Sequence, residues 1–163
     1  LAPRSYLLAT IHRPANTDNE QNLSGILGAL ASTDEVVVFP AHPRTGQAME
    51  RFGLDLPSNV RLLEPVSYLD MLALEKNARL ILTDSGGVQK EAYFFGVPCV
   101  TLREETEWVE TTECGWNLLV GASEPHIAEA IRHFQPQGER PQVFGDGKAS
   151  RRIALHLQSV FGS

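Results

Sequence analysis

Short apolar runs rich in β-branched residues alternate along the chain with longer segments in which apolar positions recur every three or four residues. The runs fall at 6–10, 36–39, 60–63, 80–83, 99–102 and 117–120, and their length and composition predict strands. Within each run the apolar residues do not alternate strictly with polar ones, the pattern of strands covered on both faces by helices in a parallel sheet. The intervening segments supply those helices. Leu23, Ile26, Leu27 and Leu30 mark one apolar stripe, and Thr17-x-x-Glu20 ahead of it reads as a capping box. Further helices are expected over 45–52, closed by Gly53, over 67–77 with Leu69, Leu72 and Ala73 inward, and over 88–95, stopped by Gly96 and Pro98. Two more are expected over 125–134 and 149–161, and the Pro- and Gly-rich stretch 135–147 between them lacks periodicity. Alternation of this kind predicts right-handed crossovers and an α/β fold: a doubly wound, mainly parallel, Rossmann-like sheet of about six strands. Ligands of such sheets bind beyond the carboxyl ends of the strands.

Composition narrows the function. The 163 residues fit one domain, and a net charge of −6 with no Lys/Arg-rich run argues against a nucleic-acid partner. No apolar run approaches the ~20 residues of a membrane helix, and no charged-then-apolar leader opens the chain. Cys99 and Cys114 are too few for a disulfide framework and suggest packing roles in a reducing, cytoplasmic setting. The chain opens on Leu1, directly ahead of a strand, as expected of a piece of a longer protein. No metal cluster or cofactor signature is visible, so neither is expected.

The strongest local signal is Thr83-Asp84-Ser85-Gly86-Gly87-Val88-Gln89-Lys90-Glu91, between a strand and a helix. Two glycines let backbone N–H groups approach an anion, and the helix N-terminus favours phosphate. Ser85 adds a hydroxyl, and Glu91, one turn past Gly87, suits a ribose diol. The same residues also fit a tight connection followed by a solvated glutamate. The Walker lysine and the three-glycine fingerprint are absent, which argues against an NTPase and a dehydrogenase. A second signal, Thr10-Ile11-His12-Arg13-Pro14-Ala15-Asn16-Thr17, lies at the carboxyl end of the first strand. His12 and Arg13 there suit a pyrophosphate or a loop held by backbone contacts. His42, in Pro40-Ala41-His42-Pro43-Arg44, reads as a loop anchor. In Arg103-Glu104-Glu105-Thr106-Glu107-Trp108-Val109-Glu110 the acidic residues suit a solvated loop, and Arg103 either meets a phosphate or pairs with Glu107.

Taken in order, these segments, with Gly96-Val97-Pro98, Gly115 and Phe144-Gly145-Asp146-Gly147-Lys148-Ala149, resemble the carboxyl-terminal domain of the non-hydrolysing UDP-N-acetylglucosamine 2-epimerases. The resemblance covers nearly the whole chain. It implies the second half of a glycosyltransferase-B-like two-domain fold and a homodimer, with a separate amino-terminal domain holding the carboxylates that move the proton. It further implies that His12 meets the diphosphate as the catalytic residue of this half, that Ser85, Gly86 and Gly87 cradle it, and that Glu91 takes the ribose. Uracil would lie against the loop containing Val66 and Met71, with Arg13, Arg103 and Trp108 as further contacts. The implied reaction interconverts UDP-GlcNAc and UDP-ManNAc by eliminating UDP to a 2-acetamidoglucal and adding it back. Ala15, Met71 and Trp108 depart from the commonest residues of that family, Trp108 standing where many members carry an arginine.

Rival expectations are a glycosyltransferase of the same fold, a hydrolysing relative, a non-catalytic nucleotide-sugar sensor and a domain without ligand. The last helix carries Ile153, Leu155, Leu157, Val160 and Phe161, more apolar residues than one face needs, and is expected to pack on the separate domain or a second subunit.

Overall fold

The computed structural model describes residues 2–161. Its elements follow in the order β1 (Leu7–Thr10), α1 (Pro14–Thr17), α2 (Glu20–Ala31), β2 (Val37–Pro40), α3 (Pro43–Phe52), β3 (Val60–Leu63), α4 (Tyr68–Asn77), β4 (Leu80–Thr83), α5 (Gly86–Phe95), β5 (Cys99–Thr101), α6 (Val109–Glu113), β6 (Asn117–Leu119), α7 (Glu124–His133) and α8 (Ala149–Phe161). The strands form one six-stranded sheet in the order β3-β2-β1-β4-β5-β6, and each neighbouring pair is parallel. The chain winds outward from β1 to β3, returns to the far side of β1 and winds outward again from β4. The order therefore reverses between β1 and β4, where the two flanking loops diverge and leave a crevice.

Both faces of the central strands are covered, which is why their runs are continuously apolar. Leu7, Ala9 and Ile11 pack with Leu23, Ile26, Leu30, Met49 and Ile127 from α2, α3 and α7. Tyr6 and Leu8 face the other way, onto Val88 and Ala92 of α5. Leu8 is wholly buried, and truncating such a leucine to alanine costs about 2–5 kcal/mol. Helices α2 and α7 approach closely at Gly25, where a Cβ would lie 2.9 Å from the Ala122 carbonyl oxygen. The edges depart from the two-sided expectation: Arg61 and Leu62 of β3, and Leu118 of β6, are exposed.

Several local expectations shift. Thr17 does not cap α2; it is buried in α1, its hydroxyl bonded to the Arg13 carbonyl, and Asn19 caps α2 by accepting the Asn22 N–H. Proline at the first position of α1 nucleates a turn that the apolar pattern does not signal. In α4 the inward face is turned from the expected one: Leu69 and Ala73 are exposed, Leu72 is half-buried, and the buried residue is Glu75. Helix α3 begins at Pro43, α5 begins at Gly86 rather than 88, and part of the acidic segment after β5 coils into α6. Gly53 and Gly96 close their helices at φ of 62° and 64°, a conformation that costs glycine least. The residues of α8 are all exposed along its length. Cys99 is buried, and burial pushes its thiol up to about 12; Cys114 is free and half-buried against Tyr93. Among the described residues no helix is long and apolar enough to cross a membrane.

Candidate functional site

Strands β1 and β4 end side by side, with Thr10 opposite Thr83 and their hydroxyls 2.5 Å apart. The turn leaving β4 buries Asp84 completely. Its carboxylate accepts the backbone N–H groups of His12, at 3.1 Å, and Arg13, at 3.0 Å, and the Asn16 side-chain amide at 3.0 Å. His12 Nδ1 lies 3.3 Å from the same carboxylate. Hydrogen bonds to a charged group contribute about 1.5–3 kcal/mol each, so Asp84 locks the loop after β1 against the start of α5. With its Nδ1 turned to the carboxylate, the His12 ring has a defined orientation and keeps Nε2 for a ligand.

Ser85 is the N-cap of α5, yet its side chain bonds no backbone group of the first turn, and the first helical bond runs from Gln89 N to Ser85 O. The N–H groups of Gly86, Gly87 and Val88 consequently meet no acceptor among the described residues. Unsatisfied N–H groups together with the helix dipole attract an anion. Gly87 is exposed and helical, and a Cβ built on it would meet nothing closer than Ser85 Oγ at 3.8 Å. Packing within the chain therefore does not require glycine there, although glycine is a poor helix former, and the open space leaves the backbone accessible to a ligand. At Gly86 a Cβ would meet Glu107 Oε2 at 3.2 Å and Trp108 Nε1 at 3.6 Å.

Glu91 lies one turn further along α5, half-buried, and accepts the Tyr68 hydroxyl at 2.9 Å. That bond, ahead of the glutamate's charge, raises the Tyr68 phenol above its ordinary range. Tyr68 was not singled out from sequence; its signal is an aromatic in the first turn of the helix after β3, on the ligand side of the sheet. Val66 turns instead toward a cavity of about 460 Å³ along α4, shared with Tyr6, Asp70 and Asn77, and Met71 packs against the core. Neither meets Glu91 directly in the way Tyr68 does.

Arg103 resolves to pairing: its guanidinium donates two bonds to Glu107, at 3.0 and 2.9 Å, which hold the Glu107 carboxyl down at about 2. Arg13 pairs with no carboxylate among the described residues, and its charge also reaches Glu107. Trp108 donates its indole N–H to the Gly86 carbonyl at 2.7 Å and carries the Lys90 ammonium 4.0 Å above its ring, with Phe144 packed edge-on. A cation over an aromatic face adds about 0.5–1 kcal/mol at an exposed site. His42 anchors its loop, capping α3 by accepting the Arg44 N–H. A cavity of about 980 Å³ adjoins the site through Asn16 and Arg103 and extends to Gly121 and Glu124. No group of three or more His, Cys, Asp or Glu able to hold a metal occurs among the described residues.

The chain has relatives among known proteins. The family model for UDP-N-acetylglucosamine 2-epimerase matches residues 1–158. A UDP-N-acetylglucosamine 2-epimerase homolog of Methanococcus maripaludis is 47% identical over 98% of this chain and 46% of its own length. A UDP-2,3-diacetamido-2,3-dideoxy-D-glucuronate 2-epimerase of Pseudomonas aeruginosa is 48% identical over 95% of this chain and 45% of its own. The crystal structure of Methanocaldococcus jannaschii UDP-GlcNAc 2-epimerase in complex with UDP-GlcNAc and UDP superposes with a TM-score of 0.84 at 40% identity, covering 97% of this chain and 46% of that one. The chain thus spans about half the length of the curated relatives it matches. With the family model covering nearly every residue, the chain belongs to the UDP-N-acetylglucosamine 2-epimerase family.

Proposed function

We propose that this chain is the carboxyl-terminal, nucleotide-binding half of a cytoplasmic, dimeric UDP-N-acetylglucosamine 2-epimerase, working with an amino-terminal domain that supplies the proton-moving groups. The observation that carries the reading is the open N-terminus of α5, set between His12 and Glu91 at the crevice where the strand order reverses. The Ser85-Gly86-Gly87 backbone receives the diphosphate, His12 Nε2 and the Arg13 guanidinium face it, and Glu91 accepts the ribose hydroxyls. The segment carrying Val66 and Met71 would border the base through Tyr68, and Arg103 and Trp108 would border the sugar.

In the reaction a base removes the C2 hydrogen as a proton while the C1–O bond to UDP breaks, leaving a 2-acetamidoglucal. UDP then adds back at C1 as a proton reaches C2 from the opposite face. The share of this half is electrostatic. Negative charge grows on the departing diphosphate, and fixed donors in place before the bond breaks stabilise it without reorganisation. The chain alone is expected to bind UDP weakly and not to turn over. Helix α8, exposed and apolar, supplies a surface for the other domain or a second subunit.

The Pseudomonas relative favours a second reading in which the sugar is a diacetamido uronate. Both are tested by incubating the protein carrying both halves with UDP-GlcNAc, and separately with the diacetamido uronate nucleotide, in D2O. Deuterium at C2 together with the C2 epimer, followed by NMR, supports the epimerase and identifies its sugar. Free hexosamine points to a hydrolysing relative, sugar transfer to a glycosyltransferase, and binding without exchange to a sensor; each of these refutes the proposal.

A further inference from the structure

Behind the exposed face of Glu91 sits a second carboxylate that the reaction does not explain. Glu75 on α4 is wholly buried, and neither of its carboxyl oxygens meets a hydrogen-bond donor. Leaving an ionised carboxylate without a donor inside a protein is costly enough that such groups are paired or neutralised. No lysine or arginine pairs with it among the described residues. The titratable groups around it are Glu91 on α5, the helix packed against α4 and joined to it by the Tyr68–Glu91 bond, Tyr68 on its own helix and Cys99 on β5; the charge of Glu75 reaches Tyr68 and Cys99. Tyr6, just ahead of β1, is close by, but its hydroxyl is taken by the Leu74 carbonyl. Tyr68 spends its hydroxyl on Glu91. None of these supplies a positive charge.

Two ionised carboxylates facing each other across packed helices repel, and they can share a hydrogen bond only when one of them holds a proton. We propose that Glu75 is a positioning residue: it keeps that proton and donates it to Glu91, so that Glu91 stays ionised and fixed between Glu75 and Tyr68 with its remaining lone pairs turned to the ribose diol. Burial places the proton on Glu75, because the half-buried Glu91 keeps contact with water that Glu75 lacks. Burial first, then the facing Glu91 charge, pushes Glu75 up to about 8, just above neutrality. The two protons of such a pair belong to the pair, and nucleotide binding is linked to the one it retains. Loss of that proton sets two like charges against each other and drives Glu91 off the diol.

The inference rests on Glu91 being the ribose acceptor, and titration of UDP into the protein by calorimetry at pH 7 to 9 tests both separately. If binding requires the shared proton, the Kd for UDP rises about tenfold from pH 7 to pH 9. Glu75→Gln, which keeps a donor toward Glu91 but does not titrate, flattens that rise, while whatever His12 or the uracil ring contributes persists in it. Glu75→Leu, which fills the space without a donor, weakens UDP at every pH, and Gln recovers most of the loss. In wild type, 2′-deoxy-UDP binds more weakly than UDP; in Glu75→Leu the ratio shrinks, a change that a merely structural role would not produce. UDP binding with the same pH slope in wild type and Glu75→Gln overturns the role of Glu75 and leaves the nucleotide site standing. No UDP binding by the folded wild-type protein at any of these pH values overturns the site, and this inference with it.

Discussion

Replacing Gly87 by alanine separates what the fold needs from what a ligand needs. The residue is in the first turn of α5, helical and exposed, and beyond its own helical backbone the nearest atom to the added carbon is Ser85 Oγ at 3.8 Å. Sterically the methyl group is free to enter. Alanine favours a helix interior over glycine by about 0.8–1 kcal/mol, and roughly half of that is expected in a first turn. Gly87→Ala is therefore expected to stabilise the protein by about 0.5 kcal/mol, raising Tm by about 1–2 °C for a chain of this size. Nucleotide affinity should move the other way. The methyl group stands beside the Gly87 and Val88 N–H groups, where a phosphate oxygen must come within about 2.9 Å of nitrogen. Loss of one charge-assisted bond to that oxygen weakens UDP at least tenfold, about 1.4 kcal/mol. Differential scanning calorimetry and UDP titration on one preparation measure both quantities. A variant that melts lower than wild type, or that binds UDP unchanged, would refute the claim that this glycine serves a ligand rather than the fold.

Asp84→Asn replaces an acceptor of several donors by a group that must turn its own N–H2 toward some of them; a loss of about 2–3 kcal/mol in urea denaturation is expected, with weaker UDP binding as the His12 loop loosens. Glu75 gives stability its own pH dependence. Its folded value near 8 lies above the ordinary 4.5, so its contribution is complete below about 4.5, is lost as pH rises and levels off above about 8. The local slope is at most about 1.4 kcal/mol per pH unit, and it disappears from denaturation curves of Glu75→Gln. Glu107, held near 2 chiefly by Arg103, should titrate higher in Arg103→Ala, while its backbone N–H and Arg13 still keep it below an ordinary glutamate, as carboxyl 13C shifts would report.

The strand pattern made the sheet legible because burial on both faces produces continuous apolar runs, and Gly53 and Gly96 marked helix ends by the conformation they adopt. What the pattern missed has physical causes. Helix α4 packs one face against α5 and the core while exposing Leu69 at 75%, so apolar spacing there does not report burial. Short helices α1 and α6 are held by tertiary contacts and by a single proline or threonine, too local for periodicity. At the site, glycines and Glu91 stood out by residue type and spacing. Asp84 and Glu75 did not, since a carboxylate in a sequence carries no mark of whether it will be wholly buried.

On the proposed reading, those two buried carboxylates hold the anion-facing groups in position before any ligand arrives. Asp84 draws two backbone N–H groups, an amide and an imidazole onto one point at the end of β4. Tyr68 donates to Glu91, and Glu75 would back it as inferred above. A diphosphate leaving C1 would then meet dipoles whose orientation was fixed on folding, and the barrier would be lowered by interactions that need no rearrangement as charge develops. The same logic restricts what this half can do alone. On the proposed reading it would present donors and a carboxylate to a nucleotide, while its two buried acids hold other residues. On that reading proton transfer at C2 falls to the separate amino-terminal domain, and the expected signature of the isolated chain is affinity for UDP without deuterium exchange into the sugar.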